Sequence, residues 1–177
     1  MITPTIRKAS MEDFNSIIEL SLLFAEFHHN YDKKFKLNWF VSDSNKKWVS
    51  SYLQDQEKCL LIALNEENKI IGYLMGSLLA KDDIEHLELA CASKVEELFI
   101  TEPYRSSGLG TNLINSFFDW SREKGAESVY LEVLKQNTRG INFYEKNGFV
   151  EYSSLMEAKL SQKQETLAPK IEAQPSN

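Results

Sequence analysis

The sequence predicts an α/β (α+β) protein with a mixed sheet, and three features of the chain lead to that expectation. The first half follows the order strand, helix, helix, strand, strand. The second half alternates strands with helices, which favours parallel strands joined by right-handed crossovers. Between the halves, residues 95–111 pass from a strand through a glycine-containing turn into a helix. The length of 177 residues suits one domain, assigned to residues 1–160.

The first half begins with an edge strand and two helices. Thr5–Ala9 is expected to be a short strand, and Ser10 with Asp13 forms a capping-box pattern that begins a helix ending near Asn30. Ser44 is predicted to cap the second helix.

A hairpin is predicted next, with strands at Lys58–Leu64 and Lys69–Ala80 joined by a polar turn. Gly72 and Gly76 lie inside the second strand, where they indicate a bulge or a close approach of another backbone. Ile84–Ala92 is ambiguous, because its apolar spacing suits either a helical turn or the start of the next strand.

The second half contains three further strand segments and two helices. Val95–Ile100 is an apolar strand that leads through its turn into a helix over Gly108–Lys124. Ser128–Leu134 is the next strand, and because a helix connects the two strands they should lie parallel and adjacent. A short helix over Arg139–Asn147 and a last strand region over Phe149–Leu160 complete the pattern.

The composition is that of a globular protein, with 42% hydrophobic and 26% charged residues. No apolar run approaches the roughly 18 residues of a membrane span, and no secretory signal is visible, so a cytoplasmic protein without a membrane partner is expected. Cys59 and Cys91 are isolated in apolar surroundings, which predicts buried free thiols. Residues 161–177 are polar and are expected to form a flexible tail.

Charge is distributed unevenly along the chain. The net charge of -6 argues against a nucleic acid as the main partner. Residues 82–102 carry seven acidic residues against one basic residue, Lys94. This segment is either a solvated face or a means of attracting a cationic substrate to the neighbouring strand.

The turn after Val95–Ile100 has the composition of an anion-binding site. Gly108 and Gly110 allow the backbone to approach a ligand, and the start of the helix offers unpaired N–H groups. Further donors to a phosphate come from one charged side chain and three hydroxyl groups: Arg105, Ser106, Ser107 and Thr111. The alternative is that both glycines serve only a tight strand-to-helix junction.

Two segments carry a resemblance to a known family. R-S-S-G-L-G after E-E-L-F-I-T-E-P-Y resembles motif A of the GNAT superfamily of N-acetyltransferases, and N-T-R-G-I-N-F-Y-E-K-N-G-F at Asn137–Phe149 resembles its motif B. Their order and spacing agree, and the resemblance covers Thr5–Leu160. It implies a mostly antiparallel sheet of about six to seven strands, splayed between two central parallel strands and flanked by about four helices.

The resemblance implies acetyl-coenzyme A (acetyl-CoA) as cosubstrate and no metal. The pyrophosphate would contact the turn and helix start, with Arg105 beside it; the residues concerned are Ser106, Ser107, Gly108, Leu109, Gly110 and Thr111. The pantetheine arm would pair with the backbone of Leu98, Phe99 and Ile100. Asn137 would bind the pantetheine, and Arg139 or Lys146 would meet the nucleotide phosphate. Ser106 and Ser107 stand where the family often has Gly-Lys, which would weaken cofactor affinity.

The resemblance also assigns the acid–base residues. Tyr144 would donate a proton to the leaving thiolate, although a Phe-Tyr pair on a helix also suits core packing. A carboxylate must take the proton of the attacking amine, and Glu96 and Glu97 are the candidates. On a regular strand they point to opposite faces, so only one can serve. Glu96 matches the acidic position of polyamine and aminoglycoside acetyltransferases and is preferred, whereas Glu97 matches many other members.

The expected function is therefore transfer of an acetyl group from acetyl-CoA to a primary amine, on a small cationic molecule. The alternatives are acetylation of a protein or peptide amine, and a non-catalytic CoA-binding module. Tyr31–Val41 would either close a small-molecule pocket or pack its aromatic residues on the core. Family members commonly form dimers, and a short last strand would leave an edge for a second subunit.

Overall fold

A computed structural model describes residues 4–158 and 160 and contains one five-stranded sheet in the order β1-β2-β3-β4-β5. The strands are β1 (Thr5–Lys8), β2 (Lys58–Leu64), β3 (Ile70–Leu78), β4 (Ala92–Ile100) and β5 (Ser128–Leu131). The helices are α1 (Phe14–His29), α2 (Leu37–Phe40), α3 (Asp43–Gln54), α4 (Lys81–Ile84), α5 (Leu109–Glu123) and α6 (Thr138–Lys146). Short 3₁₀ turns lie at Met11–Asp13 and Glu102–Tyr104.

The sheet is mixed, as the sequence predicts. The pairs β1–β2, β2–β3 and β3–β4 are antiparallel, and β4 and β5 are parallel. The α5 helix connects the two parallel strands, which confirms the predicted crossover unit. Over residues 4–158 and 160, no helix has both the length and the apolar character needed to span a membrane.

Two apolar clusters lie on the two faces of the sheet. On one face α1 and α3 pack against β2, β3 and β4, around Ile17, Phe24, Val49, Tyr73 and Phe99. On the other face α5 packs with residues that include Leu74, Val95, Leu113, Ile114 and Phe117. The central strands are therefore buried on both sides, and only their ends and edges reach solvent.

The capping residues in the sequence predict the start of the first helix correctly and that of α3 with an error of two residues. The Asp13 carboxylate accepts a hydrogen bond of 2.7 Å from the Ser10 N–H, as the capping-box pattern predicts. Ser44 is not the cap of α3, because the hydroxyl group of Ser42 accepts from the N–H of Asn45 and the helix begins at Asp43. The ambiguous segment divides into a helical turn that ends at Ile84 and a strand that begins at Ala92.

The C-terminal part of the predicted sheet is corrected. Over the described residues the sheet has five strands rather than six or seven, and 149–158 forms no strand. From Val150 onward its apolar side chains are solvent-exposed, with exposed fractions of 84% for Val150, 97% for Leu155 and 90% for Met156. A strand is stabilised by hydrogen bonds to a neighbouring strand and by burial of its apolar face, and residues 150–158 have neither in the described part of the chain. The predicted tail, 161–177, lies outside the described residues.

Three smaller predictions, on the number of helices, the end of β5 and the burial of Cys91, are also corrected. Six helices are present over the described residues rather than about four, because α2 and α4 are single turns of four residues each. β5 ends at Leu131, three positions before the predicted Leu134. Cys59 is buried as predicted, whereas Cys91 is partly exposed, so the expectation of a buried thiol is wrong there.

The loop Tyr31–Val41 packs aromatic side chains inward. Phe40 is buried in the cluster on the α1 and α3 face, and Phe35 packs against it. Trp39, by contrast, is 38% exposed. These contacts favour the core-packing alternative for most of the loop.

Candidate active site

The two parallel strands separate partway along their length. Their pairing runs from Ala92 opposite Ser128 to Val95 opposite Leu131 and stops there, because β5 ends. β4 continues to Ile100, so the edge of Glu96–Ile100 that faces away from β3 has no strand partner among the described residues. This confirms the predicted splay and leaves backbone hydrogen-bonding groups available to an extended ligand.

A β-bulge lies at the point of separation. Gly76 pairs with Val95 and Met75 pairs with Glu97, so Glu96 is an extra residue in β4. A Cβ atom on Gly76 would lie 2.4 Å from the ring of Phe117 and 2.6 Å from the Lys94 carbonyl oxygen. The close approach and bulge predicted from this glycine are therefore both present.

The bulge changes where the two glutamates point. Lys94 pairs with Ser77 and forms an ion pair with Glu96 at 3.5 Å. The charges of Glu96 and Glu97 also both raise the pKa of Tyr52 on α3, after the larger effect of its burial. Both carboxylates thus lie on the α3 side, and the expectation that they point to opposite faces is wrong because alternation fails at a bulge.

Glu97 is the buried member of the pair. It is 6% exposed, and the hydroxyl group of Tyr73 donates a hydrogen bond of 2.5 Å to its Oε2. Burial raises the pKa of Glu97 to about 7, the Tyr73 hydrogen bond opposes that rise, and the charge of Glu96 adds to it. A carboxylate with a pKa near neutrality is suited to accept a proton.

Glu96 has different surroundings. Its side chain is 28% exposed, and its partner Lys94 also contacts Glu132 at 3.0 Å. Glu96 is therefore a solvent-accessible carboxylate with a cation already beside it.

The turn before α5 has the backbone geometry of an anion-binding site. Ser106 and Gly108 have left-handed φ angles of 65° and 86°, and Gly108 is the N-cap of the helix. The first α-helical bond from this cap runs from Asn112 N–H to the Gly108 carbonyl oxygen, so the N–H groups before Asn112 lie at the open helix start. Leu109 is 2% exposed and anchors the helix start in the core.

Two arginines flank this turn. The Arg105 Nε donates to the Ile100 carbonyl oxygen at 2.8 Å, and its guanidinium lies 4.8 Å from the ring of Phe27. Arg139, from the second motif, donates to the Ser106 hydroxyl group at 3.4 Å. Burial, and then the charge of Arg139, lower the pKa of Arg105. A bound anion would relieve the repulsion between these two cations.

Close packing brings the second motif to the first. A Cβ atom on Gly110 would lie 3.0 Å from the ring of Phe143, so α6 rests against the start of α5. The Asn137 side-chain oxygen accepts from the Gly140 N–H at 2.9 Å and caps α6. That bond occupies the oxygen, so Asn137 can offer a ligand its amide N–H groups.

Tyr144 belongs to the α5 face of the sheet. Its ring packs against Phe143 and Phe149 at centroid distances of 5.2 and 5.7 Å. Burial raises the pKa of Tyr144 to about 12, so the phenol keeps its proton at neutral pH. The structure therefore places Tyr144 on the α5 face of the sheet and Glu97 on the opposite face.

The model of the acetyltransferase (GNAT) family matches residues 17–149. The chain belongs to the GNAT family. This confirms the resemblance seen in the two motifs.

Relatives agree with this family. An uncharacterized N-acetyltransferase of Methanocaldococcus jannaschii is 26% identical over 151 residues, which is 84% of this chain and 62% of the relative. The chain thus spans less than two thirds of that relative. An N-alpha-acetyltransferase of Sulfurisphaera tokodaii is 29% identical over 153 residues, or 85% of this chain and 82% of the relative.

A solved structure shows the same fold. The structure of an aminoglycoside N-acetyltransferase in complex with CoA has a TM-score of 0.70 and 15% sequence identity to this chain. The match covers 92% of this chain and 97% of the other.

Tyr73, which contacts the candidate base, belongs to no sequence motif. Tyr73 lies in β3, in the otherwise apolar and small run I-I-G-Y-L-M-G. The only hint in the sequence is that a buried tyrosine hydroxyl group usually needs a hydrogen-bond partner. The partner itself, Glu97, is identified only by strand register.

Proposed function

We propose that this protein transfers an acetyl group from acetyl-CoA directly to a primary amine. The observation that carries the proposal is the edge of β4 beyond Val95, which has no strand partner in the described part of the chain. This edge lies between the turn before α5 at one end and the buried Glu97 at the other. The fold match to an acetyltransferase in complex with CoA supports this use of the cleft.

The residues present fit the cofactor. N–H groups at the start of α5, with Arg105 and Arg139 beside them, would hold the pyrophosphate and the nucleotide phosphate. The backbone of Leu98, Phe99 and Ile100 would pair with the pantetheine arm, and an N–H there would stabilise negative charge on the acetyl oxygen. The amide group of Asn137 is a further donor at the start of α6.

Acetyl-CoA, when bound, supplies a thioester whose C–S bond breaks as the amine nitrogen bonds to the acetyl carbon. Glu97 accepts the proton that the amine must lose, directly or through a water. Tyr144 gives a proton to the sulfur that leaves as a thiolate. Glu97 then releases its proton to solvent and Tyr144 takes one up from solvent, so both residues return to their starting protonation states.

The positions of the two residues support this division of roles. Glu97 points to the α1 and α3 face of the sheet, whereas Tyr144 packs in the cluster on the α5 face. An amine that enters from the first face meets the base, and the leaving sulfur on the second face meets the acid. Burial favours Glu97 over the initially preferred Glu96, because Glu96 is exposed and paired with Lys94.

The proposed acceptor is a small cationic amine. Lys94 contacts both Glu96 and Glu132, and Glu96 adjoins the base Glu97, so three carboxyl groups share one cation in this part of the sheet. Such a local excess of negative charge raises the concentration of a cationic substrate. The structural neighbour is an aminoglycoside N-acetyltransferase, and an aminoglycoside is an acceptor of this kind.

A second candidate is the α-amine of a protein or peptide. It is favoured by a relative at 29% identity that is an N-alpha-acetyltransferase. The chemistry at Glu97 and Tyr144 would be unchanged, and only the acceptor contacts would differ.

An acceptor screen tests the function. Release of free CoA thiol is measured with polyamines, aminoglycosides, amino acids and peptides, and CoA binding is measured by calorimetry. Turnover that needs one acceptor class and is lost in Glu97→Gln supports the proposal and selects the acceptor. Folded protein that binds CoA but turns over no acceptor would instead favour a CoA-binding module.

The proposed homodimer has its own test. Within the described part of the chain, β5 pairs only with β4 and is an edge strand, and apolar side chains of 150–156 are exposed beyond it. A second subunit that covers this edge predicts sedimentation at twice the monomer mass, and a monomer at micromolar concentration removes the proposal.

A further inference from the structure

Tyr73 and Glu97 form a buried pair on neighbouring strands. Tyr73 is 0% exposed and Glu97 is 6% exposed. In the register of β3 and β4, Tyr73 lies opposite Phe99 and Glu97 lies opposite Met75, so the two are diagonal neighbours on one face. The Tyr73 hydroxyl group donates to the Glu97 Oε2 at 2.5 Å.

Beyond Tyr73, the described surroundings of Glu97 provide little stabilisation of its charged form. Glu96 on the same strand is the group whose charge raises the pKa of Glu97, and Lys94 is paired with Glu96. Tyr52 on α3 is near enough for the charge of Glu97 to raise the pKa of its phenol. α1 packs on this face through Phe24, an apolar residue whose ring meets Phe99 at 6.5 Å. Among the described residues, Tyr73 is the hydrogen-bond donor to the Glu97 carboxylate.

We propose that Tyr73 is a positioning residue that fixes the Glu97 carboxylate and sets the pH range in which it can accept the proton of the amine. This inference rests on the proposed function, in which Glu97 is the base. The hydrogen bond to Oε2 leaves Oε1 as the oxygen that meets the amine or its water. The bond also stabilises the charged form of a carboxylate that burial would otherwise neutralise.

The phenol is suited to this role because it does not compete for the proton. Burial and the charge of Glu97 raise the pKa of Tyr73 well above its ordinary value, so the tyrosine remains a donor while Glu97 titrates. The hydrogen bond keeps the pKa of Glu97 near neutrality rather than higher.

Tyr73→Phe removes the hydroxyl group and keeps the ring. Without its donor, Glu97 should titrate about one to two pH units higher, as expected for loss of a hydrogen bond to a buried charge. The acid limb of the kcat/KM profile should move by the same amount, so kcat/KM falls about tenfold per unit on the acidic side and recovers at higher pH. Tyr52→Phe, which removes a hydroxyl group on the same face that does not touch Glu97, is the matched control and leaves both titrations in place.

Two readouts separate this inference from the proposed function. Carboxyl ¹³C NMR follows the titration of Glu97 in the protein without cofactor, and kinetics follow the acid limb. An unchanged NMR titration in folded Tyr73→Phe overturns the role of Tyr73. An NMR shift without a kinetic shift overturns Glu97 as the base, and with it the role of Tyr73 in positioning that base.

A second substitution covers the case in which the phenylalanine variant does not fold. Replacement of Tyr73 by 3-fluorotyrosine keeps the hydroxyl group and makes it a stronger donor. The titration of Glu97 should then move to lower pH, opposite to the effect of Tyr73→Phe. A shift upward, or none, contradicts the inference.

Discussion

The burial of Glu97 predicts a conflict between activity and stability. The pKa of this carboxyl group is raised from 4.5 to about 7, chiefly because the group is buried. Between these two values the folded state keeps a proton that the unfolded state has lost, so the stability of the protein falls as the pH rises. The loss is complete above about pH 7, where both states are ionised and the folded state holds a buried charge.

The size of the effect follows from the shift. A difference of about 2.5 pKa units corresponds to about 3 kcal/mol in the free energy of unfolding. Glu97→Gln removes the ionisation and nearly preserves the shape and the acceptor oxygen for Tyr73. Relative to the wild type, the variant should therefore gain about 3 kcal/mol between about pH 4.5 and pH 8, or roughly 6–12 °C in Tm for a domain of this size. At the same time it should lose acetyl transfer.

Urea denaturation of both proteins across this pH range measures the gain. The difference between the two ends of the range cancels any constant cost of the buried amide group. Glu96→Gln, at the exposed neighbouring position, is the matched control and should keep most of the pH dependence of the wild type, because burial raises the pKa of Glu97 more than the charge of Glu96 does. A wild-type-to-variant difference that does not change with pH would refute the assignment of a buried, raised carboxyl group at Glu97.

Three other predictions concern separate parts of the molecule. Hydrogen bonds from Arg7, at 2.7 and 2.9 Å, are the main cause that lowers the pKa of Asp13 to about 2. Asp13→Asn should therefore cost about 2 kcal/mol at neutral pH, and wild type and variant should converge in urea denaturation as the pH falls from about 4 to 2. Gly76→Ala should cost about 1–3 kcal/mol, because its methyl group meets the Phe117 ring and the Lys94 carbonyl, and melting curves measure the loss. Tyr144→Phe should lower kcat about 100-fold with little change in CoA affinity, and an unchanged kcat would remove Tyr144 as the acid.

The parts of the fold that the sequence predicts are those that local chemistry decides. β2 has the predicted bounds Lys58–Leu64, since its apolar run is continuous and flanked by polar turns. Gly108 predicts the start of α5, because the left-handed backbone that it adopts there is open to glycine without strain. The glycine-containing turn before this helix likewise predicts an anion-binding geometry, and the resemblance carried by the two motifs predicts the splay and the family.

The strand predicted over Phe149–Leu160 fails for a different reason. Its side chains have the composition of a strand, but a strand forms only where another strand supplies hydrogen bonds and a layer covers its apolar face. The exposed Val150 and Leu155 have neither over the described residues. Composition therefore gives a preference for the extended conformation, and a strand forms only where pairing with another strand is available.

The sequence by itself determined the order of the elements, the anion-binding turn and the short set of candidate acid–base residues, since each depends on neighbours a few positions away in the chain. Only the tertiary structure distinguished the surroundings of the two glutamates, one buried and one exposed. One extra residue in β4, opposite Gly76, turned both carboxylates to one face. The register of β3 then put Tyr73 beside Glu97 and not beside Glu96. Burial and pairing between residues distant in the chain set the proton affinity of a carboxyl group, and spacing along the sequence does not encode them.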